Sequence, residues 1–523
     1  MMQTVEGIQT LVFPEGIGTK MDKHPLRNLS ELVKGFSLLN VLGTLDRHIS
    51  SIAFDSRDVK EGGLFVAIRG LQQDGNRYIA DAIQRGASAF ITEVPMDQLN
   101  GFSLGPNSVS ALQVSDAREA LSRVSSAFYD HPSKHLNLIG ITGTNGKTTL
   151  TYILERIYRE REETAGVIGT IHYCYGDIDI PAPITTPESL ELNRMFHDMR
   201  MKGVKNCLLE ISSHSLALKR VHGMNFSVGV FTNLTRDHLD FHGTMEHYKN
   251  AKKELFRSNR VEKKVLNIDD PVGREILAES GQETLTTAMD RPADVTAEAC
   301  IISSIGSRFI LKTPWGEREI QTHLLGRHNI SNLLSATACS LLQGYSMDEI
   351  DRGLRSIDSI PGRFERVALG QNFVVMVDYA HTPDALKNAL QAARAFTGNR
   401  VITVIGCGGD RDPGKRKEMG KIALELSDLA IITSDNPRTE EPEHIIEGIL
   451  EGVPSDAVRE KHYSVSVNRR EAIEQAIDRA AEGDTVVIAG KGHEDYQILK
   501  KETIHFDDRE LARQYLKRKL NID

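Results

Sequence analysis

Short apolar runs alternate with helix-period stretches along most of this chain, and their order predicts the fold. Between Asn28 and about Pro132, the runs Gly63 to Ile68 and Ala87 to Thr92 read as buried strands, with helices over Ala80 to Arg85 and Ala117 to Tyr129. That is a small α/β domain, closed by the polar turn Asp130 to Lys134. Residues 1–27 carry little periodicity and are expected to form a mobile extension.

A second domain is expected over residues 134–358. It opens with the strand Leu136 to Thr142, then a glycine-rich loop, then a helix from Lys147 whose Leu150, Ile153, Leu154 and Ile157 share one face. Strands follow at Asn206 to Ile211 and Val228 to Asn233, and a helix over His328 to Leu342. Beyond Ser359 the alternation is cleanest. Strands at Phe373 to Val377, Val401 to Ile405, Leu429 to Thr433 and Thr485 to Ala489 are separated by helices over Pro383 to Phe396, over Lys415 to Leu426, and near 443 and 470; a last helix runs near 508 to 519. Strands spaced by helices imply a mostly parallel, doubly wound sheet, which binds ligands at the carboxyl ends of its strands. The expected fold class is therefore α/β in three domains, 28–133, 134–358 and 359–523, the last Rossmann-like.

Composition narrows the partners. The chain has 523 residues, a length that suits about three domains. Lys+Arg 63 against Asp+Glu 72 leaves a formal charge of −9, with no block of five or six like charges. That removes the usual footprint for nucleic acid or an anionic membrane, so any polyanionic ligand must be met locally. No apolar run of about 18 residues is present and the first twenty residues have no basic n-region, so neither membrane insertion nor secretion is expected. Five scattered cysteines without a Cys-x-x-Cys pair suggest neither disulfides nor structural zinc, and point to the cytoplasm.

The strongest chemical signal is Gly140-Ile-Thr-Gly-Thr-Asn-Gly-Lys-Thr-Thr149, lying between a strand and a helix. Glycines let backbone amides close around phosphate oxygens, the helix start adds free N–H groups, Lys147 reaches the β/γ-phosphates, and Thr148 can ligate Mg²⁺. The central domain thus reads as a P-loop ATPase domain. The loop departs from the strict G-x-x-x-x-G-K-[ST] spacing, having Ile141 where the first glycine falls. Downstream, Leu209-Glu-Ile-Ser-Ser-His214 and Phe231-Thr-Asn-Leu-Thr-Arg-Asp-His-Leu-Asp-Phe-His242 follow apolar strands. Glu210 and His238 are therefore expected at strand ends, where a carboxylate and an imidazole can hold a cation against phosphate oxygens.

Together with Thr185-Thr-Pro, Ile360-Pro-Gly-Arg-Phe-Glu, Asp378-Tyr-Ala-His-Thr-Pro and Asp435-Asn436-Pro437-Arg438, these motifs resemble the Mur ligases of peptidoglycan synthesis, from about residue 50 to the end. The resemblance implies an ATP-dependent acid–amino-acid ligase. ATP phosphorylates the D-glutamate γ-carboxylate of a UDP-N-acetylmuramoyl dipeptide, and an incoming amine displaces phosphate from the acyl phosphate. It further implies that Gly143, Thr144, Asn145, Gly146, Lys147, Thr148 and Thr149 hold ATP, that Asn329 and Asp378 contact the nucleoside with Arg363 nearer the phosphates, and that Glu210 and His238 serve Mg²⁺. Lys252, in Tyr248-Lys-Asn-Ala-Lys-Lys-Glu-Leu-Phe, matches the family lysine that carries a CO₂-derived carbamate, an anion able to bind a second Mg²⁺.

Phe54, Ser56, Leu71, Gln72 and Gln73 resemble the family's uridine-diphosphate contacts, and Thr185, Thr186, Ser212 and Arg220 those to the muramoyl dipeptide. Two positions depart from related enzymes, Ile184 from Asn and Leu218 from Gln. The third domain offers Arg411, the loop Asp435, Asn436, Pro437 and Arg438, and Gly490 with Glu494, each after a strand. Meso-2,6-diaminopimelate ends in a second centre bearing carboxylate and ammonium, so it needs a guanidinium fork and an acidic partner together. L-Lysine lacks that carboxylate and would leave Arg438 without its anion, which disfavours it. The alternatives are the same reaction with L-lysine, or a folylpolyglutamate-type amide ligase; a monomer acting on small molecules is expected.

Overall fold

A computed structural model describes residues 26–70, 73–99, 108–257, 260–281 and 283–522. The expected extension lies outside them except for its last two residues, and Leu71 and Gln72 lie outside them too. The chain divides into two compact units: Met1–Gly140 with Thr164–Gly229 and Glu254–Glu262, and Ile141–Glu163 with Val230–Lys253 and Lys263–Asp523.

The first unit contains a five-stranded sheet in the order Asn40–Leu42, Ser110–Gln113, Ala87–Thr92, Gly63–Val66, Ile52–Ala53. Four strands are parallel and the edge strand Asn40–Leu42 is antiparallel. Its strands are apolar on both faces because both are covered, as a parallel sheet requires. The helix Ala117–Phe128 buries Leu121, Val124 and Phe128 against Leu64, Val66, Ile91 and Leu112 on one face. The helix Ile79–Gln84 sets Ile79 and Ala82 against Phe65 and Phe90 on the other. Asp116 fixes the start of the longer helix by accepting from the Glu119 amide at 2.8 Å. The same unit holds Ala165–Ile168, parallel to Asn206–Glu210, and an antiparallel hairpin of His172–Tyr175 with Ile178–Pro181. The sequence pattern does not announce that hairpin, whose first strand alternates buried with half-buried residues and whose second alternates half-buried with exposed ones, rather than forming an apolar run.

In the second unit the helix Lys147–Arg159 packs against Met347–Arg355, where Gly353 lets the two approach: a Cβ there would lie 2.7 Å from the Ile157 Cα. A meander of three long antiparallel strands, Val295–Ser303, Gly306–Thr313 and Gly316–Thr322, precedes the deeply buried helix Arg327–Leu342. The remainder is a six-stranded sheet in the order Glu365–Arg366, Val374–Asp378, Thr485–Ala489, Val401–Ile405, Leu429–Ile432, Tyr463–Val465. All neighbours are parallel except the first pair. Helices Pro383–Arg394, Gly414–Leu426 and Pro442–Leu450 cover one face, and Arg469–Arg479 with Asp508–Leu520 the other. This is the doubly wound arrangement that the alternation predicted. Because four central strands run the same way, Asp378, Gly408, Asp435 and Gly490 all emerge at one edge of the sheet.

Candidate active site

The glycine-rich loop is held by backbone geometry that only glycine satisfies. Gly143 has φ +154°, and a Cβ on it would stand 1.8 Å from the Thr232 Oγ1; Gly146 has φ +90° and would place a Cβ 2.4 Å from the Asn332 Oδ1. Asn145 is clamped from several sides: its amide donates to the Asn233 Oδ1 at 2.9 Å, its carbonyl accepts from the Thr232 hydroxyl at 2.6 Å, and its side chain donates to Asp384 at 3.1 Å. Lys147 curls back to donate to the Gly143 and Thr144 carbonyls, both at 2.9 Å. Thr148 and Thr149 are buried in the first turn of the helix, and the Thr148 hydroxyl accepts from Arg363 Nη2 at 3.1 Å.

Lys252 lies on the helix Met245–Arg257 and is 1% exposed, its Nζ donating to the same Gly143 carbonyl at 2.7 Å. Burial, and then the neighbouring Lys147 cation, hold its ammonium well below the ordinary lysine value. The adjacent lysines differ: Lys253 pairs with Glu275 and Glu279, and Lys249 with Glu246 and Glu275. The helix thus turns only Lys252 toward the loop. Tyr248, one turn earlier, joins it by a 2.9 Å hydroxyl contact to Thr144.

His238 corrects one expectation. It does not end the strand Phe226–Phe231 but sits seven residues beyond it, with φ +53° just before the short helix Leu239–His242, because the loop must turn there. Its Nε2 is 3.4 Å from the Asp237 carboxylate. Asn329 is buried and donates to the Leu325 carbonyl at 2.8 Å. Asp378 accepts from the Phe364 amide at 2.6 Å, and burial pushes its carboxyl up to about 6, although Arg363 opposes this. The Arg363 guanidinium lies over the Tyr379 ring at 4.6 Å, and that ring packs against His381 and His493.

At the neighbouring strand ends of the six-stranded sheet, Asp435, Asn436 and Glu494 come together with Lys491. Asn436 donates to Glu494 at 2.8 Å; the fully buried Lys491 ammonium donates to Glu494 at 3.0 Å and to Asn436 at 3.2 Å. Burial pushes the Glu494 carboxyl up, whereas Lys491 and Arg469 hold Asp435 below the ordinary value against the effect of its own burial. Gly490, with φ +122°, leaves room for Asp435: a Cβ would come within 2.6 Å of its Oδ2. Arg438 has φ +55° and donates to the Gly409 carbonyl at 2.8 Å, with a 3.5 Å contact to the Asn436 carbonyl. Burial, followed by repulsion from Arg411, lowers its affinity for a proton. Among the described residues neither Arg411 nor Arg438 forms an ion pair.

In the first unit a cavity of about 330 Å³ is lined by Phe54, Ser56 and Gln73, together with Arg57, Tyr78 and Asp81. Tyr78 donates to Gln73 at 2.9 Å. Separately, Glu210 ends its strand, is 1% exposed, and accepts from the Thr170 amide at 3.0 Å and hydroxyl at 2.9 Å. Thr186 links to this strand end through the Glu210 carbonyl at 2.8 Å and the Ser212 amide at 3.1 Å, and its own carbonyl accepts from Arg220 at 2.9 Å. Thr185 touches Thr170 at 3.2 Å, and the Ile184 carbonyl accepts from the Tyr173 hydroxyl.

Three family descriptions match in order along the chain: Mur ligase family, catalytic domain, over residues 48–129; Mur ligase middle domain over 141–340; and Mur ligase, glutamate ligase domain, over 362–492. A UDP-N-acetylmuramoyl-L-alanyl-D-glutamate--2,6-diaminopimelate ligase of Clostridium tetani is 44% identical over 93% of this chain and 99% of its own length. The chain belongs to the Mur ligase family. A ligase of the same description from Geobacillus kaustophilus is 45% identical over 90% of this Mur ligase and 95% of its own length. A solved structure of a ligase so named superposes with a TM-score of 0.67 at 29% identity, covering 95% of this chain and all of that one. As a Mur ligase the protein is an ATP-dependent ligase with the family's three-domain α/β architecture.

Within this Mur ligase the residues named from sequence gather as three groups. Gly143 to Thr149, Lys252, Arg363, Asp378, Asn329 and His238 belong to the second unit, as do Arg411, Asp435 to Arg438, Gly490 and Glu494; Phe54, Ser56, Gln73, Thr185, Thr186, Glu210, Ser212 and Arg220 belong to the first. The Mur ligase motifs did not single out Lys491, Tyr379, His381, His493 or Asn233. Three of these lie inside quoted motifs, Asp378-Tyr-Ala-His and Phe231-Thr-Asn, and Lys491 and His493 lie between Gly490 and Glu494. The strand Thr485–Ala489 before it gives no sign that Lys491 is buried.

Proposed function

We propose that this Mur ligase adds meso-2,6-diaminopimelate to UDP-N-acetylmuramoyl-L-alanyl-D-glutamate through an acyl phosphate, in cytoplasmic peptidoglycan precursor synthesis. The observation that carries the choice of amino acid is the pair Arg411 and Arg438, two guanidinium groups without acidic partners, beside Asp435 and Glu494. A distal carboxylate would meet the guanidinium groups and a distal ammonium the acids. The other amine is then left to attack as the free base. Relatives named for this reaction, matched over nearly their full length, support the same reading.

The loop amides, Lys147 and Arg363 align the γ-phosphoryl group with the D-glutamate carboxylate; converting that oxygen to phosphate turns it into a leaving group. Nitrogen attack gives a tetrahedral centre, which expels phosphate and leaves the amide. Thr148 supplies a hydroxyl in the first turn of the loop helix, a donor of the oxygen type that Mg²⁺ prefers, and the family resemblance also assigns Glu210 and His238 to Mg²⁺. When bound, Mg²⁺ would neutralise phosphate charge. The pairing of Lys252 and Lys147 on one carbonyl favours a neutral Lys252 amine, which can form an N–C bond to CO₂ with loss of one proton. The resulting carbamate would give Lys147 an anionic neighbour in place of a neutral amine. The cavity around Phe54, Ser56 and Gln73 is assigned to the uridine diphosphate, and Thr185, Thr186, Ser212 and Arg220 to the muramoyl dipeptide. Domain limits near 133 and 358 and a monomeric state complete the proposal; the three family matches fall between those limits.

Purified protein supplied with ATP and the UDP-dipeptide should release phosphate with meso-diaminopimelate and hardly with L-lysine. Equal turnover with both would remove the specificity, and phosphate release without any amine would remove the ligase reaction itself.

A further inference from the structure

In the hairpin of His172–Tyr175 with Ile178–Pro181, side chains alternate between the two faces of the ribbon. His172 and Cys174 therefore point the same way, and Asp179, directly opposite Cys174 in the ladder, points with them. The His172 Nδ1 is 2.8 Å from the Asp179 carboxylate, and nitrogen, sulfur and oxygen donors of the three residues all lie within 4.8 Å of one another. Tyr173 and Tyr175 are buried on the opposite face, where Tyr173 donates to the Ile184 carbonyl. The ribbon is thus anchored on one side and presents three ligand atoms on the other. The side chains of His172 and Asp179 are 21% and 67% exposed, which gives an ion a path from solvent.

We propose that this face of the hairpin binds a borderline-soft divalent cation of the zinc class, separate from the Mg²⁺ used with ATP. Imidazole, thiolate and carboxylate together suit Zn²⁺ or Co²⁺, whereas Mg²⁺ prefers oxygen donors alone. Bonds of about 2.0–2.3 Å place tetrahedral ligand atoms roughly 3.3–3.6 Å apart. Side-chain rotation is enough to close a set already within 4.8 Å, and water takes the fourth position. Coordination through the His172 Nδ1 replaces its hydrogen bond to Asp179 and moves the imidazole proton from Nδ1 to Nε2, so the one proton released to solvent is that of the Cys174 thiol.

The test is titration of the full-length protein with Co²⁺, under a thiol-free reductant and excess Mg²⁺. A thiolate-to-cobalt charge-transfer band should saturate at one ion per chain and disappear on adding Zn²⁺. Cys174→Ser should abolish the band, and Asp179→Asn, at an exposed position, should weaken Zn²⁺ binding at least about tenfold. Cys300→Ser, at the other partly exposed cysteine, should change neither. A band that survives Cys174→Ser, Zn²⁺ affinity unchanged in Asp179→Asn, or no band in the folded wild type would each overturn the site.

Discussion

Replacing Arg438 by alanine separates amino-acid recognition from ATP use. Arg438 lies in the loop between Leu429–Ile432 and Pro442–Leu450, where its guanidinium donates to the Gly409 carbonyl at 2.8 Å. For the fold, the loss is one bond from a charged donor, roughly 1.5–3 kcal/mol. The left-handed backbone at φ +55° disfavours alanine as it does arginine, so no new strain arises. For the substrate, a carboxylate drawn into the pocket without its guanidinium loses about 2–5 kcal/mol. At 1.4 kcal/mol per tenfold, the KM for diaminopimelate should rise between about 30-fold and several thousand-fold. Among the described residues no hydrogen bond or ion pair joins Arg438 to the glycine-rich loop, so the KM for ATP should hold. Phosphate release measured against diaminopimelate, at saturating ATP and UDP-dipeptide, reads both constants. Arg438→Lys should fall between, keeping the charge and losing the fork. An unchanged diaminopimelate KM in a folded Arg438→Ala protein would refute the assignment.

Gly143→Ala should abolish nucleotide binding in calorimetric titration with ADP, since its Cβ would fall 1.8 Å from Thr232 Oγ1; wild-type affinity would show that the loop closes differently. Lys252→Ala should cut synthesis by about 100-fold or more and be partly rescued by short carboxylic acids, whereas full activity would exclude a role for the carbamate. The carboxyl of Asp378 stands at about 6 in the fold against 3.8 in an unfolded chain, so its contribution is fully present below 3.8 and is lost as pH rises through 6. That gap corresponds to about 3 kcal/mol, so the stability of Asp378→Asn relative to wild type should rise by that order between pH 4 and 7 in urea titrations. A difference that stays flat with pH would show that Asp378 is not buried as a charge.

Unlike the short edge strands Glu365–Arg366 and Tyr463–Val465, the four central strands of the Rossmann-like sheet were legible, because each is a short, largely apolar run between helices with one apolar face, a pattern that needs no tertiary information. The hairpin at 172–181 and the meander at 295–322 were not, since their strands are half exposed and carry charges such as Glu298, Lys312 and Glu317, which pair across the ladder. Glu210 was placed at its strand end from the apolar run before it. His238 was misplaced because seven loop residues follow the strand, and only the tertiary turn decides where they go. Lys252 could not be told from Lys249 and Lys253 by charge alone; burial against the Gly143 carbonyl distinguishes it. Lys491 was missed because an uninterrupted apolar strand gives no hint that the next ammonium is buried with it.

Charge placement reconciles a formal −9 with proposed substrates that each carry phosphate or carboxylate groups. In the second unit most acids near the strand ends already have a partner: Asp508 with Arg469 at 2.6 Å, Glu494 with Lys491 at 3.0 Å, and Glu440 with Arg416 at 2.8 Å. Burying such ions is costly, and pairing returns much of that cost while fixing their positions. Arg438 and Arg411 stay outside these pairs, and Arg363 is turned toward Thr148 rather than toward an acid. Arg363, Arg411 and Arg438 are therefore cations at the carboxyl edge of the sheet that no ion pair among the described residues holds, although the chain as a whole is negative. An anionic ligand gains from a few desolvated donors there, where salt screens little, and gains nothing from the distant surface, where screening is strong.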